Sequence, residues 1–179
     1  MDAGVKSWSW LAIPLLAALI AAGAFLELDL GPVPLTLQSY FVLLAGFVLG
    51  PWRGALAATL YLLAGLVGLP VFAGGTSGWQ RLLGPTGGFL WSFPLAAGVA
   101  GWATKDRTPL TFRRGFLWGA LASVIPFVIG VPWLESKVEL GPDGMDLWPF
   151  LPGAAIKLVL AVATCLFLEK WKGHVLPPV

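Results

Sequence analysis

An all-α integral membrane domain of six transmembrane helices with both termini cytoplasmic is the fold that three features of this 179-residue chain predict together. The first is composition. Hydrophobic residues make up 58% and charged residues only 11%, with a mean hydropathy of +0.84; that charge content is about half of what a soluble domain carries. The second is a series of six apolar runs broken by glycine, proline or charge. The third is the sorting of basic residues onto alternate breaks, the signature of cytoplasmic loops. Polar segments are too short to build another domain, so residues 1–179 are expected to form a single membrane domain.

The runs are Trp8 to Leu26, Leu35 to Leu49, Gly54 to Leu69, Gly87 to Ala103, Phe112 to Val131 and Leu151 to Trp171. The first starts without a strongly basic leader and is read as a retained helix rather than a cleaved signal. Within it Ala17/Ala21 and Ala18/Ala22 repeat at small-xxx-small spacing, which permits close helix approach or docking of another membrane protein. The second and third runs reach only about 24 Å at ~1.5 Å per residue, against a hydrocarbon core of ~30 Å. Fusing them would bury Arg53 at mid-membrane, at a cost of about 2.5 kcal/mol or more. Two short antiparallel helices turning at Gly50-Pro51-Trp52-Arg53 are therefore expected. Between the third and fourth runs lies PVFAGGTSGWQRLLGPTGGFLWSFP, Pro70 to Pro94, with Gly74, Gly75, Gly78, Gly84, Gly87 and Gly88. So much glycine and proline precludes regular helix throughout. Non-helical backbone at a membrane is tolerated only where it is buried in protein or lines a wet cavity, so this stretch reads as a site. The lone Cys165 reads as a small buried hydrophobe.

Placing both termini in the cytoplasm puts Lys6, Arg53, Lys105, Arg107, Arg113, Arg114, Lys170 and Lys172 inside. Arg81 and Lys137 then lie outside and Lys157 within a span. The acids Glu27, Asp29, Glu135, Glu139, Asp143 and Asp146 fall in outer loops, and the tryptophans divide between the two interfaces. Pro70 to Pro94 then faces outward, as do Gly31 to Pro34 and the loop from Glu135 to Pro149. A site built from the outer ends of several helices would bind a ligand arriving from outside.

Enzyme signatures are missing: there is no GxxxxGK, HExxH or GxSxG, and the single histidine, His174, lies in the C-terminal tail. Neither a catalytic residue, a metal ligand set nor a cofactor is expected, and the scattered basic residues do not point to nucleic acid. Candidate binding groups are Arg81, suited to a carboxylate, and Lys157, an ionisable residue inside a span. Gln38, which donates and accepts, and the N-terminus of the fourth helix at Thr86, Gly87 and Gly88, whose free N–H groups would suit an anion, are further candidates. Phe72, Phe89, Trp91 and Trp133 are candidates to wall an apolar pocket. Each has a plain structural alternative: a snorkelling cation, interhelical glue, an ordinary capped helix entry or lipid-facing packing. The rival reading of the whole chain is a membrane scaffold whose glycine-rich turn merely packs helices.

Five motifs in order, PVPLTLQ (Pro32 to Gln38), GLPVFAGG (Gly68 to Gly75), GPTGGFLWSFP (Gly84 to Pro94), GVPWL (Gly130 to Leu134) and FLPGxxxK (Phe150 to Lys157), together resemble the BioY family. These are the biotin-specific substrate-binding (S) components of energy-coupling-factor (ECF) vitamin transporters. The resemblance implies a multi-pass subunit of the cell membrane, embedded in lipid, that captures biotin near its outer surface. It also implies docking, through small residues of the first helix such as Ala17, Ala18, Ala21 and Ala22, on a transmembrane coupling protein with two ATPases; some family members work without that module, and a homo-oligomer is the alternative assembly. One motif departs from the family: PGDxxK reads Pro152-Gly153-Ala154-Ala155-Ile156-Lys157, with Ala154 in place of the aspartate. A carboxylate there would accept the N–H donors of biotin's ureido ring, a charge-assisted bond of about 1.5–3 kcal/mol. Its loss leaves either another acceptor, such as Gln38, or a ligand without those donors, such as lipoate.

Overall fold

Backbone groups surrounded by hydrocarbon bond only within their own helix, and helix dominates the computed structural model, which describes residues 3–28, 33–107, 109–139 and 144–175. Asp29, the Gly31-Pro32 corner and Asp143 lie outside the described residues, as do the side chains of Lys6, Trp8, Arg107, Lys172 and His174. In chain order α1 (Ala3–Ala24) leads into a two-stranded antiparallel ladder of β1 (Glu27–Leu28) and β2 (Leu35–Thr36), with Glu27 opposite Thr36. Then come α2 (Gln38–Leu66), a 3-10 turn at Ala73–Gly75, α3 (Trp79–Leu83) and α4 (Gly87–Gly101). A second 3-10 turn, Trp102–Arg107, precedes α5 (Phe112–Glu135) and α6 (Phe150–Val175).

Although α2 spans 29 residues, it is two helices that meet at a kink and form a hairpin. The amide of Gln38 donates to the hydroxyl of Tyr61, 23 positions later, and a Cβ on Gly54 would lie 2.8 Å from the Cα of Gly46. Both contacts need the chain to reverse. The four-residue turn expected at positions 50–53 contracts to Gly50 alone, whose φ of 78° and ψ of −179° are the only non-helical values in α2. Glycine accepts the positive φ that ends one helix, and Pro51 suits the first position of the next because it needs no amide partner there. The arms, residues 38–49 and 51–66, are thus the two short antiparallel helices, and with α1, α4, α5 and α6 they make six long helical segments. Among the described residues α5 and α6 are long and apolar enough to cross a membrane, as is α2 when its 29 residues are taken together. The other helix ends shift by a few residues: α1 starts at Ala3, α4 stops at Gly101, and α5 runs past Pro132 to Glu135.

The most extensive seam among the described helices joins α2 to α4. A Cβ on Gly46 would approach the carbonyl of Ala97 to 2.3 Å, and one on Gly101 would approach the backbone of Gly50 and Pro51 to 2.4 Å. Around it Ile20, Phe47, Ala57, Tyr61, Ala97, Ala100 and Val162 form the continuous core, with Cys165 buried in it as expected. The guanidinium of Arg53 lies 5.5 Å from the ring of Trp10, and the carboxylate of Glu169 accepts the Leu110 N–H at 3.1 Å. The start of α1 and the end of α6 therefore share one end of the bundle, which also carries Arg53, Lys105, Arg113, Arg114 and Lys170. The opposite end carries the β ladder, the residue 67–86 segment and the α5–α6 connection; it is called the loop-rich end below.

Candidate functional site

A cavity opens at the loop-rich end between α2, α4, α5 and α6, roofed by β2 and flanked by α3. Its volume, about 110 Å³, exceeds the ~10–15 Å³ that one water needs. Most of the wall is apolar, supplied by Leu35, Phe89, Phe93, Phe127 and Phe150, with Ala154 beside them. The polar lining comprises Thr36, Gln38, Ser39, Arg81, Thr86, Ser123 and Lys157. Two of these are cations, and none of the lining residues is acidic.

Each polar group is placed by its element. Gln38 opens α2 and is buried at 3% exposure. Its Nε2 donates to the Tyr61 hydroxyl and its Oε1 accepts from the Thr36 hydroxyl at 3.1 Å. Buried amides are retained where such partners exist. Thr36 in turn offers its backbone carbonyl to Lys157 Nζ at 3.0 Å, so a run of polar contacts crosses the cavity from α6 through β2 to both arms of α2. Phe72, fully buried, stands edge-on to Tyr61 at 5.5 Å and fixes that phenol from behind. Arg81 projects from α3, and its buried Nε has no hydrogen-bond partner among the described residues. Two positive groups at an apolar cavity without a carboxylate create a local field that favours an anionic ligand group.

Gln38, Arg81, Thr86, Phe89 and Lys157 thus meet on one cavity. Phe72, Gly87, Gly88, Trp91 and Trp133 lie outside its lining. Of the free amides expected at Gly87 and Gly88, that of Gly87 is not free: its N–H donates to the Gly84 carbonyl at 3.0 Å. Both glycines are there for close approach, since a Cβ on Gly87 would lie 2.0 Å from the Leu82 carbonyl and one on Gly88 2.4 Å from Trp133 Cβ. Thr86 occupies the cap position of α4 without a side-chain capping bond. Trp91 and Trp133 donate their indole N–H groups to Leu82 and Gly84 carbonyls, at 3.0 and 2.9 Å. On α1, Ala17 is buried and Ala21 packs on the core, whereas Ala18 and Ala22 are exposed.

Residues that sequence reasoning did not single out are Tyr61, Thr36, Ser39, Ser123, Phe93, Phe127 and Phe150. Thr36 was accessible in principle, because it sits two positions before Gln38 on the β2–α2 corner and so shares its face. The phenylalanines carried no such signal in helices that are apolar on every side.

The chain matches the family model described as the BioY family over residues 1–173. It is 37% identical over 162 residues to a probable biotin transporter BioY of Pyrococcus horikoshii, covering 90% of this chain and 94% of that protein. It is 40% identical over 159 residues to a biotin transporter BioY of Thermotoga maritima, covering 86% and 90%. Among solved structures it resembles the S-component for biotin from an ECF-type ABC transporter, with a TM-score of 0.81, 26% identity and 95% of each chain covered.

Proposed function

The chain belongs to the BioY family, a family of transporter components rather than enzymes, and it is a multi-pass membrane protein; on that premise we propose that it captures biotin in the cavity at the loop-rich end. The observation that carries this reading is the pair of cations, Arg81 and Lys157, at an otherwise apolar cavity with no acidic lining residue. Arg81 takes the ligand carboxylate, for which a guanidinium lining the cavity, with its buried Nε unpartnered among the described residues, is suited. Lys157 and the Thr36–Gln38–Tyr61 contacts take the oxygen and N–H groups of the polar ring, and Phe89, Phe93 and Phe127 cover the apolar body. The loop-rich end faces outward and both termini lie in the cytoplasm, a placement supported by Arg53, Lys105, Arg113, Arg114 and Lys170 gathering at the other end. An ECF-type module drives uptake, with the exposed Ala18 and Ala22 of α1 as part of its contact.

A second reading, capture of lipoate or a related carboxylic acid, is favoured by one feature: Ala154 lines the cavity and supplies no acceptor for ureido N–H groups. Titration of the purified protein with biotin and lipoate by calorimetry separates the two. Tight biotin and weak lipoate binding is the expected result, and the reverse order would mean that the cavity has been re-aimed. Saturation by neither would favour a membrane scaffold and remove the capture reading.

A further inference from the structure

We propose that Trp133 and Trp91 are positioning residues for Arg81, their indole N–H groups gripping two carbonyls, Leu82 and Gly84, just after the arginine and so fixing the guanidinium against the cavity. The inference rests on the reading of Arg81 as the partner of a ligand carboxylate.

The need for such a grip follows from α3 itself. Five residues are too few for a helix to hold its own shape, and α3 is bounded by Gly78, at φ 83°, and by Gly84. The last carbonyls of any helix lack partners within it. Here Leu82 O accepts from Trp91 Nε1 of α4 at 3.0 Å, and Gly84 O accepts from Trp133 Nε1 of α5 at 2.9 Å. An indole N–H only donates, so each tryptophan commits its single polar atom to this corner. The corner has no slack, because Gly87 and Gly88 leave Leu82 O and Trp133 Cβ in direct contact with the backbone of α4. Lys137 Nζ lies 5.4 Å from the Trp133 ring, steadying it from the solvent side. Arg81 has no partner at its buried Nε to hold it instead. Neither tryptophan lines the cavity, so their influence on a ligand passes through α3.

Trp133→Phe keeps an aromatic ring and removes the donor. Two measurements test the grip. In the ligand-free protein, amide hydrogen exchange over residues 79–84 is expected to rise several-fold, with the core of α2 and α4 unchanged; equal exchange in both proteins would overturn the proposal whatever the ligand. With ligand, biotin binding is expected to weaken roughly two- to tenfold, the equivalent of one hydrogen bond, while biotin methyl ester, which lacks the charge, binds as before. Trp133→Phe added to Arg81→Gln should weaken biotin no further. Equal weakening of acid and ester would assign Trp133 a merely structural role and overturn the proposal. Failure of the wild-type protein to bind biotin or lipoate would instead sink the capture reading, and the exchange measurement would still decide whether the tryptophans hold α3.

Discussion

Ala154→Asp is the substitution that most directly tests how this cavity recognises its ligand. Ala154 lines the cavity on α6, one turn before Lys157; side chains three apart on a helix stand about 5–6 Å from one another. An aspartate there adds two acceptors to the cavity lining, and Lys157, which bonds the Thr36 carbonyl, supplies its counter-charge. The new carboxylate is therefore not stranded. A charge-assisted bond to the ureido N–H groups is worth about 1.5–3 kcal/mol, which at ~1.4 kcal/mol per tenfold tightens biotin by roughly ten- to a hundredfold. Lipoate has no N–H donors to offer, so its binding buries an unmatched acceptor at about 1–3 kcal/mol and weakens several-fold or more. Calorimetric titration of both ligands against wild type and variant, with melting in detergent as the folding control, reads the two shifts. The reasoning is refuted if both affinities change by the same factor, because recognition at residue 154 must discriminate between a ring with N–H donors and one without.

Lys157→Met, which keeps the stem and removes the charge, should weaken biotin by about ten- to a hundredfold, since a bond to a charged group contributes ~1.5–3 kcal/mol; an unchanged titration would take Lys157 out of the site. Gln38→Leu should both weaken the ligand and loosen the α2 hairpin, because it leaves the Tyr61 hydroxyl without its buried partner; a loss of affinity with full thermal stability would show that the amide serves the ligand alone. Gly46→Val should destabilise by about 1–3 kcal/mol, as overpacked seams do, because its Cβ would stand 2.3 Å from the Ala97 carbonyl. Gly98→Ala is the matched control, with its nearest neighbour at 3.7 Å, and should melt with wild type; equal melting of all three proteins would show that the α2–α4 seam is not as tight as described. Cysteine introduced at Ser136, near the loop-rich end of α5, should react with an impermeant maleimide in intact cells, whereas protection there would reverse the proposed orientation.

Charge was the most readable feature of this chain, because a cation in an apolar context is costly and its presence demands an explanation. Arg81 and Lys157 were legible for that reason, and the structure brings both to one cavity. Glycine was readable as a requirement for unusual backbone or close approach, but not as which of the two. Gly50 turns a hairpin with a positive φ, whereas Gly87 and Gly88 make room for Leu82 and Trp133. The expectation of a free amide at Gly87 failed on that ambiguity: an N–H at a helix entry is unpaired only if no preceding carbonyl folds back to it, and that of Gly84 does.

The sequence by itself determined that the chain lives in a membrane and, to within a few residues, its six long helical segments, though not the short α3, because burial of backbone in hydrocarbon favours continuous helix and marks each interruption. It also determined the family, through five motifs in order along nearly the whole chain. Tertiary structure alone decided which apolar side chains face the cavity. Phe93 and Phe127 look like any lipid-facing residue in helices that are apolar all round, and only the crossing of α2, α4 and α5 turns them inward. The roles of Trp91 and Trp133 were equally invisible along the chain, since an indole N–H finds its carbonyl across a fold: Trp133 reaches one 49 positions away. Spacing along a helix specifies which residues share its face; which face meets the ligand is set by what the other helices cover.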